Sequence, residues 1–157
     1  MATEKRATRR KRPQTYILIG DGFDELEVIY FLHKFRQAGL PIKSISLFNR
    51  LVTSRQGVSL KTDYVLADRP FDPTDDCVLV LPSRGRNAEA LRHDARIRTL
   101  LESFNQGQGR VVMTENSGSL FRDVGSIITA RPTYQPGMGE RLEEFIETLT
   151  SQFAFAF

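Results

Sequence analysis

Carboxylates crowding one turn are the feature of this 157-residue chain whose spacing points most directly to chemistry. Asp21, Asp24, Glu25 and Glu27 follow a short apolar run, residues 16–19, and alternate with the glycines Gly20 and Gly22. That order suits a strand feeding a turn and then a helix, which places the acids at a helix N-terminus, where the peptide dipole favours negative charge. Capping is the simplest role for Asp24 and Glu25. Glu27 differs, because it lies beside Leu26 and one turn before Tyr30 on a largely apolar helix. A carboxyl turned inward there requires polar partners or a raised pKa, and such a group suits acid/base work.

Other candidate groups are weaker. Ser117 and Ser119 are hydroxyls after the apolar run at residues 110–114, but no histidine follows His93 to act as their base. Cys77, His33 and His93 have no metal-ligand spacing, so no metal is expected. Gly20-Asp21-Gly22 superficially matches a dinucleotide-binding turn, yet the third glycine is missing and the four acids would repel a phosphate. No cofactor is expected.

The elements that must position these groups alternate as α/β folds do. After the turn comes a helix with Leu26, Ile29, Tyr30 and His33 at helical spacing and Phe31, Leu32 and Phe35 widening the apolar face, stopped by Gly39 and Pro41. A strand near residues 42–48 leads into a polar stretch through Gly57 that reads as short strands or a hairpin. Cys77-Val78-Leu79-Val80-Leu81 is an unbroken apolar strand of the kind covered on both faces, with Cys77 as a core residue at its start. Ile97, Leu100, Leu101 and Phe104 follow the i, i+3, i+4, i+7 rule within a helix expected between residues 88 and 106. Strands at 110–114 and 127–130, a connection at 132–139, and a last helix with Leu142, Phe145, Ile146 and Leu149 inward complete the order. The whole implies a mostly parallel sheet with helices on both faces, a flavodoxin-like three-layer sandwich. Ligand sites in such sheets lie at the carboxyl ends of strands, where residues 20–27, 82–87 and 114–119 should converge. Arg84 either approaches Glu27 and Glu115 there and offsets their repulsion, or Arg84 and Glu115 face solvent.

Asp21-Gly22-Phe23-Asp24-Glu25-Leu26-Glu27-Val28 with Arg36-Gln37-Ala38-Gly39 resembles the first βα unit of the ThiJ/PfpI family, within the class I glutamine amidotransferase-like superfamily. Ser54-Arg55-Gln56-Gly57-Val58 with Asp63 resembles the family's next segment. Val78-Leu79-Val80-Leu81-Pro82 with Ala88 and Leu91-Arg92-His93-Asp94 resembles its middle strand and following helix. In active members the helix glutamate, at Glu27 here, hydrogen-bonds a cysteine thiolate on a strained turn. A glycine pair after the Leu-Pro supplies an oxyanion-binding amide, and a histidine assists. The resemblance therefore implies a pocket of Glu27, Ser83, Arg84, Glu115, Asn116 and Ser117 whose reactive groups have gone. The cysteine position is Glu115 in an ungapped alignment and Asn116 when the later glycine is matched; the glycine pair is Ser83-Arg84.

A carboxylate or amide cannot replace a thiolate nucleophile. The expected function is a catalytically degenerate domain acting as a binding or regulatory module in a protein assembly. Two alternatives stay open. One is a divergent enzyme of glyoxalase, deglycase or hydrolase type, with Glu27 as acid/base and Glu115, Asn116 or Ser117 redeployed. The other is a non-catalytic small-molecule sensor.

Charge divides the chain. Residues 1–13 carry Lys5, Arg6, Arg9, Arg10, Lys11 and Arg12 against Glu4, a net +5, while the remainder carries −2. The expected organisation is a disordered basic tail (1–13), a single α/β domain (14–152) and an aromatic end (153–157). Such a tail binds an acidic protein surface or nucleic acid by salt-sensitive attraction, or is simply solvated. Homo-oligomerisation is implied by the resemblance. No stretch approaches the roughly 18 apolar residues of a membrane span and none reads as a secretory signal, so a cytoplasmic location is expected.

Overall fold

The computed structural model describes residues 13–72 and 75–155. The tail cations Lys5 to Arg12 lie outside the described residues. Five strands form one parallel sheet: β1 (Gln14–Ile19), β2 (Ile42–Ser46), β5 (Tyr64–Val65), β6 (Cys77–Leu81) and β7 (Arg110–Met113), in the order β5-β2-β1-β6-β7. β3 (Leu51–Thr53) and β4 (Ser59–Lys61) make a separate antiparallel hairpin around Gly57. The alternating strand residues divide between two cores. Ile17, Ile19, Val78, Val80 and Val112 point to the layer formed by α1 (Glu25–Gln37) and α5 (Leu142–Phe155). Tyr16, Leu18, Leu79, Leu81 and Met113 point to the layer of α2 (Asn87–Arg92), α3 (Ala95–Ser103) and α4 (Ser119–Ile127). This is the expected three-layer sandwich with a mostly parallel sheet.

Local departures have physical causes. Residues 127–130 are not a strand: Leu120, Val124 and Ile127 recur at helical spacing and are buried, so the apolar stretch continues α4. Asn105 then accepts the Thr129 and Ala130 amides at 2.8 and 3.0 Å and turns the chain away. The segment that does reach β7 is at Tyr134, whose amide and carbonyl bond Val111 and Met113 at 2.9 and 2.7 Å. The single helix expected between residues 88 and 106 is two helices, because Asp94 caps α3 by accepting the Arg96 amide.

On α1 the sheet selects one arc of an apolar helix. Glu27, Val28, Phe31, Leu32 and Phe35 are buried, whereas Leu26 is 78% and Ile29 44% exposed, and His33 is exposed with them. The stripe of Leu26, Ile29 and His33 therefore faces outward, not to the core. α5 closes the same layer, with Phe153 edge-on to Phe35 and Tyr134 at 6.2 and 5.7 Å. Among the described residues, no helix is long and apolar enough to cross a membrane.

Candidate functional site

The three segments expected to converge do meet, beyond the carboxyl ends of β1, β6 and β7. Asn87 holds the first two together and is fully buried. Its Oδ1 accepts the Gly20 amide at 2.6 Å, while its Nδ2 donates to the Leu18 and Pro82 carbonyls at 3.2 and 2.7 Å. Every polar atom of that amide side chain is thus engaged inside the core, as burial requires.

Above Asn87 two loops clasp back to back. Phe23 and Gly85 pair as an isolated antiparallel bridge, and the Arg86 amide donates to the Gly22 carbonyl at 2.8 Å. The approach depends on glycine. A Cβ on Gly85, whose φ is +63°, would stand 2.5 Å from the Gly22 carbonyl oxygen.

The acids of the first turn serve different ends. Asp24 caps α1 through the Leu26 amide and lies 3.6 Å from Arg55 of the hairpin loop. Glu25 is held below the usual carboxylate range chiefly by the Ser54 hydroxyl. Asp21 accepts the Thr53 amide at 3.0 Å, so these carboxylates fasten the hairpin over the turn.

Glu27 lies one turn before Phe31 on the buried arc of α1, and its side chain is 0% exposed. Its Oε1 accepts the Arg84 amide at 3.2 Å, and its Oε2 is 3.9 Å from Arg84 Nε. Burial pushes the carboxyl up to about 7. The nearby Thr114 hydroxyl and the Arg84 amide and guanidinium pull it down, and the Asp24 charge adds to the rise. Thr114 makes no well-formed hydrogen bond to Oε2, which has no hydrogen-bond partner among the described residues. Instead the Thr114 hydroxyl accepts the Ser83 amide at 2.9 Å and lies 2.8 Å from Ser83 Oγ. Glu27, Ser83, Arg84 and Thr114 thus form one polar cluster.

Glu115, Asn116 and Ser117 follow Thr114 on the turn from β7 to α4, Glu115 half-buried and the other two exposed. No ion pair joins Arg84 to Glu115 among the described residues; the Arg84 guanidinium stands near Glu27 alone of the two acids. The Glu115 carboxylate extends toward Gly118, 3.9 Å from where a Cβ on that glycine would sit. Among the described residues Arg69 is the sole non-glycine with positive φ, so the turn carries its positive φ at Gly118, φ +99°, and none falls at residues 114–117. A strained nucleophile elbow is absent there. His93 is exposed beyond α2 and His33 on the outer arc of α1, so neither enters the cluster. Cys77 is buried at the amino end of β6, the end of the sheet opposite the cluster, and burial pushes its thiol up to about 12.

Asn87, Thr114 and Gly85 are the structural surprises within segments the sequence had marked. The one available signal was an asparagine followed by an apolar helix just after a glycine turn. The described residues contain no group of three or more His, Cys, Asp or Glu side chains arranged to hold a metal.

The comparisons with known proteins agree with the fold. The sequence matches the DJ-1/PfpI family over residues 13–150. A deglycase of Thermococcus kodakarensis is 37% identical over 76 residues, which are 48% of this chain and 44% of that protein; the match spans less than half of either. Drosophila melanogaster DJ-1beta superposes with a TM-score of 0.71 at 18% identity, covering 92% of this chain and 91% of that one. Schizosaccharomyces pombe DJ-1 gives 0.66 at 19%, covering 88% and 90%. The strand order, the acidic first turn and a family match across nearly the whole described domain lead to one conclusion: this chain belongs to the DJ-1/PfpI family.

Proposed function

We propose that this chain is a catalytically degenerate DJ-1/PfpI domain that works in the cytoplasm as a binding or regulatory module within a protein assembly. The observation that carries this reading is the β7–α4 turn. Where the family resemblance places a cysteine on a strained turn, this chain has Glu115 or Asn116, and neither has a positive φ. The chain's single cysteine is buried at the opposite, amino end of the strands. A carboxylate is a poor nucleophile toward a carbonyl, and removing a catalytic nucleophile costs several orders of magnitude in rate. What remains is a polar cluster of buried Glu27 under Thr114 and the half-exposed Arg84.

Two features support a binding role, one in the structure and one in the sequence. On α1 and the hairpin, Leu26, Ile29, Leu51 and Val58 are exposed, and Ile29, Leu32 and Leu60 line an apolar groove of about 560 Å³. Exposed apolar residues grouped in this way suit self-association. The tail cations Lys5, Arg6, Arg9, Arg10, Lys11 and Arg12 suit an acidic protein surface or nucleic acid.

The alternative is a divergent enzyme of the glyoxalase, deglycase or hydrolase kind. A buried carboxyl near pH 7 has the acidity a general acid/base requires, and the relative from Thermococcus is named a deglycase. Partner capture separates the readings. Under the binding reading, full-length chain and its Glu27→Gln variant retain the same partners from native lysate, and removing residues 1–13 or raising salt abolishes capture. Capture unchanged by the truncation would remove the tail's role.

A further inference from the structure

On the other side of the sheet from α1, a cavity of about 550 Å³ opens between the short helical turn Leu66–Asp68 and α3. Its size falls within the range of small-molecule sites. Leu66, Phe71 and Leu100 supply apolar wall, and the Phe71 ring is fixed by stacking on Tyr16 at 4.7 Å with Phe104 behind it at 6.3 Å.

Two arginines stand at this cavity in different electrostatic states. Arg96 is held: Nε and Nη2 bond the Asp94 carboxylate at 3.0 and 2.7 Å, and Nη2 also reaches the Leu47 carbonyl at 2.8 Å. Its charge is matched by Asp94 and its guanidinium lies over the Phe48 ring at 4.9 Å. Arg69 is exposed, and no carboxylate among the described residues pairs with it.

Arg69 also adopts a conformation that arginine disfavours. Its φ of +47° puts it in the left-handed region at the end of the Leu66–Asp68 turn, where glycine or asparagine would be at ease. Strain retained at one residue is a reason to ask what its side chain does. Here it brings an arginine without an ion-pair partner among the described residues to the rim of the cavity, on the side where Arg69 also borders a neighbouring cavity lined by Asp72, Asp75 and Asp76.

We propose that this cavity binds a small organic carboxylate, its apolar body against Leu66, Phe71 and Leu100 and its carboxylate on the Arg69 guanidinium. A guanidinium offers the two parallel donors that a carboxylate accepts, and it repels a cationic head group. A neutral ligand of the same shape would fill the cavity without using Arg69. The site is separate from the Glu27 cluster and stands whether or not that cluster is catalytic.

Octanoate, octanol and octylamine titrated into the full-length chain, followed by amide resonances and calorimetry, test this directly. Octanoate is expected to saturate at sub-millimolar to millimolar concentration with shifts confined to residues 66–71 and α3, and to bind at least about tenfold more tightly than octanol or octylamine. Arg69→Gln should lower octanoate affinity by about tenfold or more and leave octanol unchanged. Arg69→Gly should lose the same affinity while its Tm stays level or rises, since glycine takes that φ without strain. Equal binding of octanoate and octanol, octanoate affinity unchanged in both variants, shifts mapping elsewhere, or no saturation would each overturn the assignment.

Discussion

Arg84 grips Glu27 twice, with its backbone amide 3.2 Å from Oε1 and its guanidinium Nε 3.9 Å from Oε2. The first contact is fixed by the loop and the second by a half-exposed side chain. Together they fall short of matching what burial takes from the carboxylate, so the group titrates near neutrality.

That balance gives stability a pH dependence. A carboxyl whose folded pKa lies above its unfolded value keeps its proton in the native state while the unfolded chain has released it. Stability associated with Glu27 is therefore greatest below the unfolded value of 4.5, falls as pH rises toward 7 and levels off above it. A shift of that size corresponds to about 3 kcal/mol at most. Urea unfolding across pH 5 to 8 should show wild type losing stability relative to Glu27→Gln as pH increases. A constant difference between the two would mean that Glu27 is ionised throughout.

Gly85 and Gly57 both have positive φ, but only Gly85 is crowded. Alanine at Gly57 meets open space and should cost about 1 kcal/mol for the left-handed backbone alone. At Gly85 the added Cβ meets the Gly22 carbonyl at 2.5 Å and the Asp24 amide at 3.1 Å, so the clasp must open; about 3 kcal/mol or more is expected. Similar midpoints for the two variants in denaturant would show that the clasp yields easily.

The outer arc of α1 provides a further check. Leu26→Lys with Ile29→Lys removes exposed apolar surface without touching either core, so stability should change by only about 0.5 kcal/mol. Wild type should sediment as an oligomer and the double variant as a monomer. A monomeric wild type at the same concentration would exclude self-association through this face.

Much of the frame was legible in the sequence because residues 16–19 of β1 and all of β6 are apolar runs closed by Gly20 and Pro82, and turn residues separate most of the elements. Glu27 was legible too, as a charge out of place on an apolar helix. Which arc of α1 turned inward was not. Leu26 and Ile29 are as apolar as Val28 and Phe31, so periodicity alone could not choose; contact with the sheet did. The role of Thr114 was equally hidden, since it depends on the lateral placement of β6 against β7, which brings Ser83 within 2.9 Å. Asn87 has the same character: its partners Leu18 and Gly20 lie 69 and 67 positions away. The strand expected at residues 127–130 failed because Ile127 and Ile128 suit a helix end plugging the core as well as they suit a sheet.

The decisive measurement is steady-state turnover of a reactive small aldehyde such as glyoxal by the purified full-length chain, beside Glu27→Gln and a no-protein control. A domain that has lost its nucleophile should give rates indistinguishable from the control for both proteins at every pH from 6 to 9. Turnover by wild type that disappears in Glu27→Gln would contradict the account and restore this cluster as an active site.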